Sequence, residues 1–307
     1  MRLVSIVLLL CVGGPAVAGI CLYTPDKPRD LLEARYAGPP SEFLLVAGLR
    51  LHVRDTGPKN APAVIMLHGL GSSLQTWEPW AQTLSARFRV ICFDLPGFGL
   101  TGADPTGDYS DDRGMAVLLA LMDALSVPHA ALIGNSMGGK LAWMFAATYP
   151  ARVDRLVLVS PDGYASPGFE YGKPAEVPLI ARLLPYTLPR WMLRANLAPA
   201  YADPSRLTDA VVDRYRDLML APGVRRALLE RTAQVLLQPP EPLLGRIEAP
   251  TLLVWGERDG LIPFSNAQDY MKAIRHCRLV SLPDLGHVPQ EEDPARSLVP
   301  VEAFLAA

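Results

Sequence analysis

Apolar residues in this chain gather into short unbroken runs: Ala63-Val64-Ile65-Met66-Leu67, Arg89-Val90-Ile91-Cys92-Phe93, Ala130-Ala131-Leu132-Ile133, Arg155-Leu156-Val157-Leu158-Val159, Thr251-Leu252-Leu253-Val254-Trp255 and Arg278-Leu279-Val280-Ser281-Leu282. Each has the length of a strand, and a run without polar alternation marks a strand buried on both faces. Ahead of them, Phe43-Leu44-Leu45-Val46 and the alternating Leu49-Arg50-Leu51-His52-Val53-Arg54 predict a hairpin. Helical periodicity fills the intervals at roughly 74–86, 110–126, 137–148, 264–275 and 292–306. Apolar strands alternating with amphipathic helices predict an α/β fold, a mostly parallel central sheet with helices on both faces. In such sheets, sites form at the carboxyl ends of the strands.

Three stretches depart from the pattern. Between about 163 and 245 the alternation stops and proline-rich, aromatic sequence takes over, with Tyr164, Phe169, Tyr171, Tyr186, Trp191 and Tyr201 and short helical patterns at 206–220 and 224–237. This predicts a helical insertion over the carboxyl edge of the sheet. Residues 24–42, rich in proline and charge, read as a linker. Residues 3–23 are apolar apart from Ser5, follow Arg2, and contain the cleavage-like Ala16-Val17-Ala18. Segment 1–23 therefore reads as a signal peptide or membrane anchor, and the protein as exported: anchored through it, with membrane contact there, or periplasmic or secreted after cleavage. Ile20 is not the small residue that a lipoprotein signal places before its cysteine, so no lipid on Cys21 is expected.

Composition narrows the function classes. The 307 residues are 50% hydrophobic with a net charge of −2, enough for a sizeable core and without the basic excess of a nucleic-acid binder. Cys92 and Cys277 are the cysteines outside the leader; both fall in strand-like runs and read as two buried thiols, with a disulfide between them the alternative in an oxidising compartment. No spacing suggests a metal site, and no cofactor is expected.

The candidate chemistry centres on Gly134-Asn135-Ser136-Met137-Gly138-Gly139, a G-x-S-x-G between an apolar strand and an apolar helix. That setting suits a sharp turn presenting the Ser136 hydroxyl; the plainer alternative is a small-residue turn that lets the helix pack close. A serine needs a base, and the base needs an orienting acid. Of five histidines, His52, His129 and His276 read as structural or surface groups, and His68 as a brace for its own loop. His287, in Pro283-Asp284-Leu285-Gly286-His287 after the last strand, is the candidate base. Asp259, in Trp255-Gly256-Glu257-Arg258-Asp259, is the candidate acid; Asp162 is a second position for it, Glu257 reads as solvent-facing and Asp284 as too local. The Met137 and Leu70 amides are the candidate oxyanion donors.

These motifs, with His68-Gly69-Leu70-Gly71 and Asp94-Leu95-Pro96-Gly97-Phe98-Gly99, resemble those of the α/β-hydrolase superfamily in that family's order, over roughly residues 43–306. The resemblance implies a Ser136–Asp259–His287 triad, a structural role for Asp94 to Gly99, and a cap at about 163–245. A serine elbow speaks against the dehalogenase and epoxide-hydrolase branches. The leading expectation is hydrolysis of a small apolar carboxylic ester. Carbon–carbon hydrolases of the meta-cleavage type share the Gly-Asn-Ser-Met-Gly-Gly elbow but commonly carry tryptophan where Val288 stands here. Cofactor-free haloperoxidase-like or acyl-transfer chemistry is a third reading, and a non-catalytic binding module a fourth.

Overall fold

A computed structural model describes residues 22–165, 170–175 and 177–307. The leader reading of 1–23 therefore lies almost wholly outside the described residues. Eight strands form one sheet: β1 (Ser41–Val46), β2 (Leu49–Thr56), β3 (Ala63–Leu67), β4 (Arg89–Phe93), β5 (Ala130–Asn135), β6 (Val153–Val159), β7 (Thr251–Gly256) and β8 (Cys277–Leu282). Their order is β1-β2-β4-β3-β5-β6-β7-β8. β2 runs antiparallel to β1 and β4, and every pairing from β4 to β8 is parallel. The predicted α/β class, with its mostly parallel sheet, is what forms.

The unbroken apolar runs have a direct structural reason. Successive side chains of a strand point to opposite faces, and here both faces are covered. Ile65, Leu67, Leu132, Leu158 and Leu253 pack into the layer on one side. Their neighbours Val64, Met66, Ile133, Val157 and Leu252 pack into the layer on the other. Cys92 and Cys277 are free thiols on strands separated by four others, so they cannot be bridged. Cys92 is buried and Cys277 partly so, and burial pushes both thiols up to about 12.

The flanking helices are α2 (Glu78–Leu84), preceded by a 3₁₀ turn over Leu74–Trp77, α3 (Asp111–Ala124), α4 (Met137–Thr148), α9 (Asn266–Ala273), α10 (Pro289–Glu292) and α11 (Pro294–Ala306). The helix expected at 292–306 forms as α11, where the Asp293 side chain accepts from the Arg296 amide at 3.2 Å and caps it; the short α10 ahead of it was not expected. The excursion between β6 and β7 carries α5 (Arg190–Leu197), α6 (Asp209–Met219), α7 (Val224–Gln234) and α8 (Glu241–Leu244). It has its own apolar centre around Leu188, Leu193, Tyr201, Val212 and Leu220.

The stretch read as a linker at 24–42 is not one. It holds helix α1 (Arg29–Tyr36) and runs against the excursion. Leu32 is buried with Leu100, Leu218, Ala221 and Val224. Lys27 Nζ donates to Asp217 Oδ1 at 2.6 Å, and Arg35 Nη1 and the Tyr36 hydroxyl donate to Asp217 Oδ2 at 2.8 and 2.9 Å. Arg225 Nη2 donates to Asp26 Oδ1 at 2.6 Å. The Asp217 side chain is 5% exposed, so it is largely cut off from water's competing hydrogen bonds. Its cations keep contact with water, Lys27 at 37% and Arg35 at 60% exposed, so Asp217→Ala is expected to lose about 1–2 kcal/mol in urea-unfolding experiments. A loss no greater than that of an exposed Asp209→Ala control would show that the strap contributes little.

Candidate active site

Chain order departs to one side from β3 to β4 and to the other from β4 to β5, and β3 pairs with β5. That reversal opens a crevice at their carboxyl ends, where ligands bind in sheets of this kind. Ser136 follows β5 in that crevice, with φ 53° and ψ −121°, in the region that L-residues rarely occupy. Three bonds hold it there. Its amide donates to the Val159 carbonyl at 3.1 Å, and its carbonyl accepts from the Lys140 and Asp162 amides at 2.9 and 3.0 Å. Glycine is required on either side of the turn. A Cβ on Gly134 would stand 2.3 Å from the Gly138 carbonyl oxygen, and one on Gly138 would stand 2.2 Å from that of Leu67. The small residues flanking Ser136 are thus fixed by the turn that presents it.

Asp259 follows β7 and His287 follows β8. His287 Nδ1 lies 2.8 Å from Asp259 Oδ2. Asp259 Oδ1 accepts from the Leu261 and Ile262 amides at 2.8 and 2.9 Å, and its side chain is fully buried. A carboxylate held on both oxygens fixes the ring's Nδ1–H and leaves Nε2 as the free acceptor. His287 is 4% exposed, and its amide donates to the Ala200 carbonyl at 2.8 Å. Asn135, the residue before the serine, donates through Nδ2 to the His287 carbonyl at 3.0 Å and to the Val159 carbonyl at 3.1 Å. It ties the histidine loop to the serine turn. Sequence reading passed over Asn135; its signal was a polar side chain in an otherwise apolar strand end.

Met137 opens α4, so its amide sits among the unpaired N–H groups of a helix start. The loop carrying Leu70 comes close to the serine: a Cβ on Gly69 would be 3.2 Å from Ser136 Cβ. Leu70, Ser136 and Met137 line one cavity of about 300 Å³. His68 is fully buried and braces this loop, donating from Nδ1 to the Gly69 carbonyl at 2.8 Å while Nε2 accepts from the Leu95 amide at 3.0 Å. Burial pushes its basicity down, outweighing the opposing pull of Asp94, so both ring nitrogens are committed and neither is free for chemistry.

Asp94 has no access to the cavity. It is 0% exposed and accepts from the Leu74 and Leu100 amides at 2.7 and 2.8 Å and from His52 Nδ1 at 2.8 Å. Burial pushes its carboxyl up, but the imidazoles of His52 and His68 and the bonds from His52 and Leu74 more than offset this, leaving it below the usual carboxylate range. His129 lies at the opposite end of the sheet and pairs with Asp154 at 2.7 Å, and Glu257 is exposed. Asp162 is a different matter. It lines the cavity beside Ser136, and burial raises its carboxyl despite the nearby Lys140. It does not hold the histidine, whose Nδ1 is taken by Asp259. Among the described residues, no group of histidine, cysteine, aspartate or glutamate is arranged to hold a metal ion.

A network behind the site links it to the excursion. Glu291, on α10 just after His287, accepts from the Tyr201 hydroxyl at 2.8 Å, Arg214 Nη2 at 2.8 Å and the Tyr215 hydroxyl at 3.1 Å. Ser72 Oγ, on the Leu70 loop, is 3.3 Å from the Tyr215 hydroxyl. The next residue, Glu292, accepts from the Gly286 amide at 2.7 Å and so fixes the turn before His287.

Comparison with known proteins bears on the fold as a whole. The family described as alpha/beta hydrolase fold matches residues 62–294. A 2-hydroxy-6-oxononadienedioate/2-hydroxy-6-oxononatrienedioate hydrolase of Burkholderia vietnamiensis is 32% identical over 225 residues, 70% of this chain and 76% of its own. A membrane phospholipase A described as a bacterial virulence factor superposes with a TM-score of 0.75 at 28% identity, covering 100% of this chain and 98% of its own. A meta-cleavage product hydrolase from Pseudomonas fluorescens does so with a TM-score of 0.74 at 28% identity, over 86% of this chain and 97% of its own.

Proposed function

Because the chain belongs to the α/β-hydrolase fold family, we propose that it is a serine hydrolase that cleaves a carboxylic ester of a small molecule through an acyl-enzyme. One observation carries the reading: a buried Asp259 holds His287 by Nδ1 at 2.8 Å, on a loop that Asn135 ties to the strained Ser136 turn. His287 Nε2 takes the Ser136 proton as the oxygen attacks the ester carbonyl. Asp259 stabilises the imidazolium, and the Met137 and Leu70 amides receive the negative oxygen. His287 then protonates the leaving alcohol and activates the water that releases the acid. The β6–β7 excursion serves as the cap, and Leu70, Met137, Val235, Leu261 and Ile262 supply an apolar wall for the substrate. Asp259→Asn keeps the shape of the site but loses the charge and the tautomer it selects. It is expected to lower kcat about ten-thousand-fold, with KM little changed, on a chromogenic short-chain ester.

The names of the dienoate-cleaving relatives favour a second reading, carbon–carbon bond hydrolysis at the same serine. Val288 follows His287 here, and it packs with the excursion's own apolar centre. Parallel assays on p-nitrophenyl esters and on a meta-cleavage dienoate decide between the two: turnover of the dienoate alone would overturn the ester reading. We further propose that residues 1–23 export the protein and keep it at a membrane, a reading supported by their apolar run and by the full-length likeness to a membrane phospholipase A. Among the described residues, no helix is long and apolar enough to cross a membrane.

A further inference from the structure

The cavity beside Ser136 has two unlike walls. Leu70, Met137, Val235, Leu261 and Ile262 form the apolar one, while Asp111, Lys140, Asp162 and Arg231 gather on the other. Ordinary charged side chains avoid such a place, because desolvating an ion costs several kcal/mol unless a partner compensates. Lys140 has its compensation: Nζ lies 2.7 Å from Asp111 Oδ2, and its side chain is 11% exposed. Arg231 has none of that kind. Among the described residues it makes no ion pair; it is partly exposed, and its guanidinium carbon stands 5.8 Å from the centroid of the Phe98 ring. Burial weakens its hold on the proton, only partly offset by Asp111, Tyr109 and Asp162 at longer range. Its place in the last turn of α7 suits the helix dipole, but a solvent-facing arginine would serve that purpose equally.

We propose that this wall is a subsite for a carboxylate carried by the substrate, with Arg231 as its ligand and the Lys140–Asp111 pair beside it. The proposal rests on the serine-hydrolase reading and narrows it to esters with an apolar spacer and a distal carboxylate. Lys140 and Asp111 pair with each other, and among the described residues neither Arg231 nor Asp162 has an ion-pair partner, so the one cation left to meet a ligand anion is Arg231. That matches a singly charged carboxylate better than a phosphate dianion, and the planar guanidinium matches a carboxylate's two oxygens. Burial raises the Asp162 carboxyl, against the pull of Lys140. The cavity, about 300 Å³, has the size of a small-molecule pocket.

The test compares monomethyl adipate with methyl heptanoate, an uncharged ester of similar length, by acid release at neutral pH. Wild type is expected to favour the monoanion in kcat/KM by at least tenfold, chiefly through KM. In Arg231→Met that ratio should fall at least tenfold, and in Arg231→Lys only in part. Should the methionine variant not fold, Arg231→Gln takes its place. Fluorophosphonate labelling of Ser136 separates the two layers of the reading. Labelling together with equal use of both esters overturns the carboxylate subsite and leaves the serine hydrolase standing. If neither ester is cleaved, calorimetric binding of the two intact esters decides: tighter binding of monomethyl adipate that Arg231→Met abolishes supports the subsite, and equal binding overturns it.

Discussion

Replacing Ser136 with alanine is expected to lower ester turnover by about 10⁴- to 10⁶-fold and to abolish covalent labelling by a fluorophosphonate. The size of the effect follows from what the hydroxyl does. Without it no acyl-enzyme forms, and the residual rate comes from oxyanion donors and substrate positioning alone. Folding should be unaffected, because the Ser136 side chain caps nothing and the strained φ of 53° is carried by its backbone bonds to Val159, Lys140 and Asp162. Alanine meets the same left-handed penalty as serine, so urea midpoints should agree closely. Undiminished labelling of the alanine variant would falsify the assignment of the nucleophile.

Asp94→Ala is expected to be the most damaging substitution for stability, at about 3–5 kcal/mol, with no direct chemical role to lose. It would strand the Leu74 and Leu100 amides and His52 in a site with no water contact. The same carboxylate sets an acid limit. Its folded pKa lies below the unfolded value of about 4, as does that of Glu291, which burial pushes up but Arg214 and its hydrogen bonds pull further down. A depressed carboxyl stabilises the fold at every pH above its unfolded value, and that stabilisation is lost as pH falls through the folded value. Unfolding free energy should therefore fall in two stages, first below about pH 6.5, where the unfolded chain takes up a proton that buried His68 refuses, and then steeply below about pH 4. A urea series at pH 7, 5, 4 and 3 measures it, and Asp94→Ala should show a shallower acid slope than wild type.

The central strands were legible because burial on both faces leaves an unambiguous mark. β3 to β7 are apolar nearly throughout, and no helix of ordinary amphipathicity looks like that. The order of Ser136, Asp259 and His287 was legible for a related reason: each follows a strand, and parallel strands deliver their carboxyl ends to one edge. What sequence hid was held by distant partners. α1 is short and polar, with Leu32 its one buried residue, and its anchor Asp217 lies 190 positions from Lys27. The start of α11 was legible at Asp293-Pro294, a helix-start signature, whereas the four-residue α10 is too short to carry a periodicity. Arg231 and Lys140 read as ordinary polar members of helices. That their side chains border the cavity depends on how α7 and α4 meet across it, which no local pattern encodes.

The strap of residues 22–36 has a consequence for how this protein could exchange parts with its relatives. The excursion between β6 and β7 looks like a cassette that could be swapped by cutting after one strand and before the next. Yet Asp26, Lys27, Arg35 and Tyr36, far upstream, hold its Arg225 and Asp217. A new excursion without an aspartate at 217 and an arginine at 225 would leave the strap's charges unmet. A swap that keeps these bonds has to carry two pieces about 190 residues apart, the strap at 22–36 and its counter-charges at 217 and 225.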